Sequence, residues 1–464
     1  GSLSSGGIIG NVGGIESKIK TAQQNGFDKI IIPVFSDFNQ SLYVNNTDIE
    51  VIPLIDIIEA YNYFEGKNIS LPSKNINDTN YQLLMQNLGY MMCMRTEEIK
   101  EIVNFTSIKQ NSSLNKTLQV AQNSLNASIV AKQDNSFYSQ GSFCYNANLN
   151  YRVVGEAQKN LILEQREEKI SELKREILDK EILIKSKNYT DKIETVNDFY
   201  VYLIINNRIN DAKNFIDESF DIDTALNETN QTKYQIKYEK IKQQKEVLYS
   251  HALERYYTVL LWEKLIVHDG SKMNFKPNAI KEACVKINKE LSINLELLQD
   301  YGINVLNEEL KKQFAYSLAP RQNQYLCIYN GLELKGKINT IFNSIGITNN
   351  NQKEYIEKIN EIAQERLIFN NENDFPLIPY IYNEYSSDLI EQGDYNAAML
   401  YSNYAIAYAD LNLYIERNVY KPESLNSILH NLFDLSISSL IFIGALLILI
   451  AFIGDEYKKN NRKK

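Results

Sequence analysis

The chain has 464 residues, of which 44% are hydrophobic and 23% charged, and carries a formal net charge of −9. This is an ordinary globular composition with room for about two to four domains. The acidic balance argues against a nucleic-acid partner and against broad contact with an anionic membrane surface.

From the N-terminus, residues 1–14 read as a strand and a turn running into a helix. Ile15, Ile19 and Ala22 recur at helical spacing, and Gly26 stands where a C-capping glycine belongs. Residues 29–34 form a short apolar strand ending near Pro33. A strand at 49–54 and a helix at 55–64 follow, so residues 1–68 are expected to be a small α/β unit. The glycines match neither Gly-x-Gly-x-x-Gly nor Gly-x4-Gly-Lys-Ser/Thr. Nucleotide binding is therefore poorly supported, and no cofactor is expected.

The run Gly10-Asn-Val-Gly-Gly-Ile-Glu-Ser-Lys-Ile-Lys-Thr-Ala-Gln-Gln-Asn-Gly-Phe-Asp-Lys-Ile-Ile-Ile-Pro33, with the acidic-helix element at 51–63, resembles the C-terminal part of the Lon-type serine peptidase domain. The likeness is to archaeal, membrane-anchored Lon-like proteins, and it spans about 65 of the 464 residues. It implies that Lys18 falls on the catalytic lysine of a Ser-Lys dyad, in which a neutral lysine takes the serine proton. A lysine does this only where desolvation or nearby cations disfavour its charged form. The positive first turn of a helix acts in that direction. In the family the serine lies farther upstream than the seventeen residues that precede Lys18 here. Ser2, Ser4, Ser5 and Ser17 are off the motif. The resemblance therefore implies an upstream peptidase half, on the same precursor or a companion chain, acting with Lys18 on protein or peptide substrates. Read without the motif, a lysine at a helix start is a solvated surface residue.

Residues 69–80 form a polar linker. From Tyr81 to about Val130 the pattern is helical, with a methionine-rich cluster (Met85, Met91, Met92) of the kind that fills cores. Residues 134–141 are expected to break the helix. Residues 152–187 read as one long helix with Leu163, Ile170, Ile177 and Ile184 at seven-residue spacing, but Arg166 and Lys180 on the seam. Two partners fit that seam: an antiparallel helix at about 105–130, which is favoured, or a second copy of the chain. Residues 69–192 thus form a helical hairpin or coiled-coil region.

Residues 193–432 read as a tetratricopeptide-like helical array without a clean repeat period. Residues 199–206 and 209–216 read as a helix pair. Long helices follow at 233–266, 278–300, 308–318, 322–345, 353–367 and 380–415. Residues 385–407 are similar to a tetratricopeptide helix pair turning at Gly393-Asp394, with Ala397, Ala398 and Ala405 allowing close contact. His251, His268 and His430 are isolated in the sequence, Asp221 and Asp223 lie in polar turns, and no metal site is expected.

Residues 435–454 hold no charge and are long enough to cross the hydrocarbon core as one helix. The basic tail at 455–464 is expected on the cytoplasmic side, which places the bulk of the chain outside the cell. Export implies a leader that residues 1–14 do not contain, so the natural beginning is expected upstream. Outside the cell, Cys93, Cys144, Cys284 and Cys327 are disulfide candidates. Three connectivities are possible, and sequence proximity favours Cys93–Cys144 and Cys284–Cys327 over four buried thiols. Glycosylation candidates in Asn-x-Ser/Thr triplets crowd the first half: Asn39, Asn45, Asn68, Asn77, Asn104, Asn111, Asn115, Asn126, Asn188, Asn227 and Asn230.

The expected fold is mainly α: a small α/β N-terminal Lon-like remnant, an extended helical domain and one C-terminal transmembrane helix. Two functions follow: the C-terminal portion of a surface-anchored, ATP-independent Lon-like peptidase, or a non-catalytic surface scaffold that acts through protein–protein contacts, including homo-oligomers.

Overall fold

The computed structural model describes residues 7–10, 13–34, 49–66, 79–108, 113–222, 231–268, 272–273, 278–300, 302, 323–345, 347, 352–370 and 375–415. The chain is mainly helical. Helix α1 (Ile15–Gln24) leads into strand β1 (Lys29–Pro33), which pairs in parallel with β2 (Glu50–Leu54); helix α2 (Ile57–Glu65) follows. Ile15, Ile19, Ile32 and Ile49 form the small core of this unit. Asp56 caps α2 by accepting from the Glu59 amide at 2.8 Å, and Glu59 accepts in return from the Ile55 amide at 2.9 Å. Ile8 bridges Asp56, and Ile8 and Ile55 are buried in the main helical core, which docks the unit on the rest of the chain.

The next helices are α3 (Thr79–Glu101), α4 (Ser113–Gln133) and α5 (Phe137–Gln158), with α5 packed on the other two. Gly89 on α3 and Gly141 on α5 let the two backbones meet: a Cβ on Gly89 would lie 2.9 Å from the Phe137 carbonyl oxygen. The Cys93–Cys144 disulfide joins the same two helices, with a Cα–Cα distance of 5.1 Å.

Then come α6 (Leu163–Lys185), the short α7 (Lys187–Thr190), α8 (Val196–Asp221), α9 (Gln231–Trp262), α10 (Ala279–Asp300) and α11 (Gln324–Ser344). Cys284–Cys327 joins α10 to α11. The described chain ends with α12 (Gln352–Asn370), α13 (Leu377–Glu391), α14 (Tyr395–Ala409) and the short α15 (Leu411–Tyr414). Gly393 (φ 77°) makes the turn between α13 and α14, and the Asp394 carboxylate caps α14 at the Ala397 amide. Successive contacts close a ring: α5 on α9, α9 on α8, α8 on α11, α11 on α14, α14 on α13, and α13 back on α5. One core runs through it from Ile8 to Ile415.

Four expectations are corrected. Residues 196–221 are one helix, not a pair. Asn206, read as part of a turn, instead donates to the Tyr202 carbonyl at 2.8 Å and accepts from Asn323 at 3.2 Å, so its polar groups are satisfied within the packed helix. Residues 152–187 are not one helix: the chain breaks between Gln158 and Leu163, with Asn160 at φ 49°. The Ile170, Leu173, Ile177 and Ile184 seam packs in the main core against α8 and α9, not the 105–130 helix, because α5 already covers α4. The break near residue 134 is shorter than expected, since α5 already begins at Phe137. Among the described residues no helix is long and apolar enough to cross a membrane. Residues 435–454, the basic tail and the helix expected at 308–318 lie outside the described residues.

Arg166 shows how the broken helix is held. Its side chain is fully buried, donates to Glu156 at 2.8 Å and to the Glu156 carbonyl at 3.2 Å, and lies 3.8 Å from Glu246 on α9. Burial acts to raise the Glu156 carboxyl, but hydrogen bonds from Lys159 and Arg166 hold it below its usual range. Arg152 and Arg95 share Glu254, also fully buried, at 2.9 and 3.3 Å. These ion pairs tie α3, α5, α6 and α9 together where a hydrophobic seam was expected.

Candidate functional site

Lys18 lies in the first turn of α1. Gly14, the N-cap, adopts the left-handed conformation (φ 67°), and a Cβ there would lie 3.1 Å from Ser17 Oγ, so glycine suits this entry. The Lys18 side chain is exposed, and its ammonium donates to the Gly13 carbonyl. Ser17 donates to the Gly14 carbonyl at 2.8 Å, and Thr21 to the Ser17 carbonyl at 2.8 Å. Ser17, Lys18, Thr21, Ala22, Asn25 and Phe27 line a shallow depression of about 320 Å³. No hydroxyl among the described residues is hydrogen-bonded to the Lys18 amine. Ser2, Ser4 and Ser5 lie outside the described residues. Exposed Lys29 bonds Tyr63 Oη at 2.7 Å and Glu50 at 3.0 Å, which clamps β1, β2 and α2 together.

The histidines are not all isolated. His268 (φ 57°) lies with Nδ1 3.1 Å from Asp198 Oδ2, and its backbone amide donates to Asp198 Oδ1 at 3.0 Å. Asp198 also forms the capping box of α8 with Thr195, so this contact fixes a helix start. His251 packs at a tilt against Phe215 with ring centroids 5.0 Å apart, and burial followed by the Arg255 charge lowers its pKa. His430 and Asp223 lie outside the described residues, whereas Asp221 ends α8. Among the described residues no group of His, Cys, Asp and Glu is arranged to hold a metal ion.

Of the Asn-x-Ser/Thr sites, Asn104, Asn115, Asn126 and Asn188 are described; Asn39, Asn45, Asn68, Asn77, Asn111, Asn227 and Asn230 are not. Asn104 is exposed and accepts from the Thr106 hydroxyl at 2.7 Å. In the Asn126 triplet Ser128 is buried and donates to the Leu125 carbonyl at 2.7 Å.

The structure also assembles a polar cluster that sequence reading did not find. It lies where the helix ring closes. Arg208 and Asp211 come from α8, Arg255 from α9, Glu333 and Lys337 from α11, Tyr145 from α5 and Tyr401 from α14. Arg255 Nε lies 3.5 Å from Asp211 Oδ2, and the two side chains keep 25% and 30% of their area exposed. The Arg255 guanidinium sits 5.1 Å from the Tyr145 ring centroid. Arg208 donates to Thr258 at 3.1 Å and lies 5.3 Å from the Trp262 ring. Burial pushes the Asp211 carboxyl up, against the attraction of Arg255, Arg208 and Lys337. The Nε atoms of both arginines are buried without a hydrogen-bond partner. Burial pushes the Glu333 carboxyl up to about 7, against the attraction of Lys337. Beneath lie fully packed tyrosines: Tyr329 Oη and Tyr382 Oη are 2.9 Å apart, and Tyr408 donates to the Tyr329 carbonyl at 3.1 Å. These charges come from separate helices with no local motif, so only ring closure brings them together. No protein-family model, no curated protein and no solved structure matches the chain.

Proposed function

We propose that the chain is the C-terminal portion of a cell-surface, membrane-anchored Lon-like serine peptidase, with Lys18 as the base of a Ser-Lys dyad whose serine is supplied by an upstream segment. The observation that supports this reading is the small parallel sheet beside α1. Among the described residues β1 and β2 form a parallel pair of five-residue strands with no third strand. Such a pair is marginal alone and offers edges to further strands. Lys18 stands in the first turn of the glycine-initiated α1, whose Ile15 and Ile19 pack with Ile32 of β1. In this mechanism the lysine amine takes the serine proton, the serine oxygen attacks the scissile carbonyl, and the proton passes to the leaving amine. Water then hydrolyses the acyl-enzyme by the same route. The helical body, which we read as tetratricopeptide-like at the α13–α14 hairpin, would hold substrates or partners above the membrane anchored by residues 435–454.

A second reading, a non-catalytic surface scaffold, is favoured by the exposure of Lys18 and its bond to the Gly13 carbonyl. The complete protein, isolated from membranes, separates the two. Under the peptidase reading it cleaves an unfolded reporter and takes a fluorophosphonate label on serine, and Lys18→Ala abolishes both while the melting temperature holds. Cleavage unchanged in Lys18→Ala removes Lys18 from the mechanism. Absence of cleavage and label in the unaltered protein leaves the scaffold.

A further inference from the structure

Among the described elements α4 packs chiefly on α5, and its opposite face meets solvent. That face lacks the charges a surface helix ordinarily shows: residues 117–131 hold no charged group, and Ile129 and Val130 are 52% and 53% exposed. An apolar pair on an uncharged, solvent-facing stretch is where a covering group is most favourable. Asn126 stands three and four residues before Ile129 and Val130, so the three side chains share one face. Helical side chains lean towards the N-terminus, which brings Ile129 and Val130 back towards Asn126. The Asn126 carboxamide is exposed, has no hydrogen-bond partner among the described residues, and heads the triplet Asn126-Ala127-Ser128. We propose that Asn126 carries an N-linked oligosaccharide whose first sugars lie over Ile129 and Val130. Modification of this kind needs the extracellular placement proposed above and involves no chemistry at Lys18.

The transfer joins the Asn126 amide nitrogen to the anomeric carbon of a sugar held on a lipid diphosphate. The carbon–oxygen bond to the diphosphate breaks, the lipid diphosphate leaves with the bonding electrons, and the nitrogen gives up one proton. No oxidant or reductant takes part. The fold also sets the order of events. Residues two apart lie about 200° apart round a helix. Asn126 therefore faces solvent while Ser128 is buried, its hydroxyl donating to the Leu125 carbonyl at 2.7 Å. A transferase that reads both residues finds them together only before α4 packs on α5. In the folded chain the glycan projects from the face opposite α5 and displaces no packed side chain. Sugar C–H groups then remove Ile129 and Val130 from water while the hydroxyls stay hydrated. Asn104 and Asn115 differ: the first is tied into its own turn by the Thr106 amide and hydroxyl, and the second is half-buried.

The test uses the full chain isolated from the membranes of its own host. Trypsin cuts after Lys116 and Lys132, and the peptide between them holds Asn126 as its one Asn-x-Ser/Thr triplet. Mass mapping is expected to find that peptide chiefly with sugar added, and Asn126→Gln to lose the addition. An aqueous carbene probe that labels exposed side chains is expected to mark Ile129 and Val130 at least about twofold more in Asn126→Gln than in the unaltered chain. Mapping of the unaltered chain needs no variant, so a variant that fails to fold leaves the test intact. A peptide 117–132 without sugar overturns the proposal. If other triplets carry sugar or both disulfides are present, the extracellular placement survives that failure; sugar-free triplets throughout together with four free thiols remove the placement as well. Equal labelling of Ile129 and Val130 in chain and variant refutes the cover, and crosslinking of two chains through α4 assigns the face to a second copy instead.

Discussion

The cysteines show how far single residues could be read. Proximity favoured Cys93–Cys144 and Cys284–Cys327, and both bonds are present. What proximity did not reveal is their different access. Cys284 and Cys327 are fully buried, with Asn288 Nδ2 3.6 and 3.5 Å from the two sulfurs, whereas Cys93 is only partly buried. Thiol exchange needs access to a sulfur. Under mild reductant in native buffer, Cys93–Cys144 is therefore expected to open first, as followed by alkylation and mass mapping. Simultaneous opening of both bonds would contradict this. Glu384 was not legible at all. Its carboxylate, from α13, accepts from the Tyr138 and Ser139 amides at 2.9 and 3.3 Å and from Tyr81 Oη at 2.8 Å, so it caps α5 from another helix. Burial nevertheless pushes it up to about 7, and Asp388 beside it to about 6. These folded values exceed the unfolded ones, so between about pH 4 and 7 the folded state binds more protons and stability falls as pH rises. The melting temperature is expected to be several degrees lower at pH 8 than at pH 5, and Glu384→Gln to reduce that drop. A flat profile that the variant leaves unchanged would refute the assignment.

Elements were legible in type more than in extent. Apolar periodicity located α3, α9, α10, α11, α13 and α14, since a buried face recurs along each. It erred where polar residues sit inside. The asparagines of α8 looked like a turn, and Arg166 looked like a break in an apolar seam, although it is fully buried and paired there. Local pattern cannot tell a buried, paired charge from an exposed one, because the partner is distant in sequence. Glu246 is eighty residues from Arg166. Arg166→Met leaves Glu156 with Lys159 and the more distant Arg152 and is expected to cost about 3 kcal/mol, read from the urea midpoint. The Arg166→Met/Glu156→Leu double variant is expected to recover much of that loss, because both charges leave together. A single variant as stable as the parent would show that the pair contributes little.

At the scale of the molecule, among the described residues the α/β unit meets the helical ring through a small apolar contact. Ile8 and Ile55 enter the main core, and a Cβ on Gly7 would stand 3.2 Å from an Arg366 guanidinium nitrogen. The unit's own core is four isoleucines. Calorimetry is expected to resolve a small early transition for residues 7–66 ahead of the main helical one, and removal of residues 1–66 to abolish only the first. A single transition in both chains would show that the two parts unfold as one.

By itself the sequence determined the helical class, the order of the N-terminal strands and helices, the turn at Gly393-Asp394 and the favoured cysteine pairs. All of these follow from local backbone preference, short-range periodicity or nearness along the chain. The tertiary structure alone decided that α8 is continuous, that α6 packs on α8 and α9, and that the helices close into a ring. It alone gathered Arg208, Asp211, Arg255 and Glu333 into one cluster. Such placements are set by long-range packing, in which a charge is tolerated where another helix supplies its partner or water reaches it.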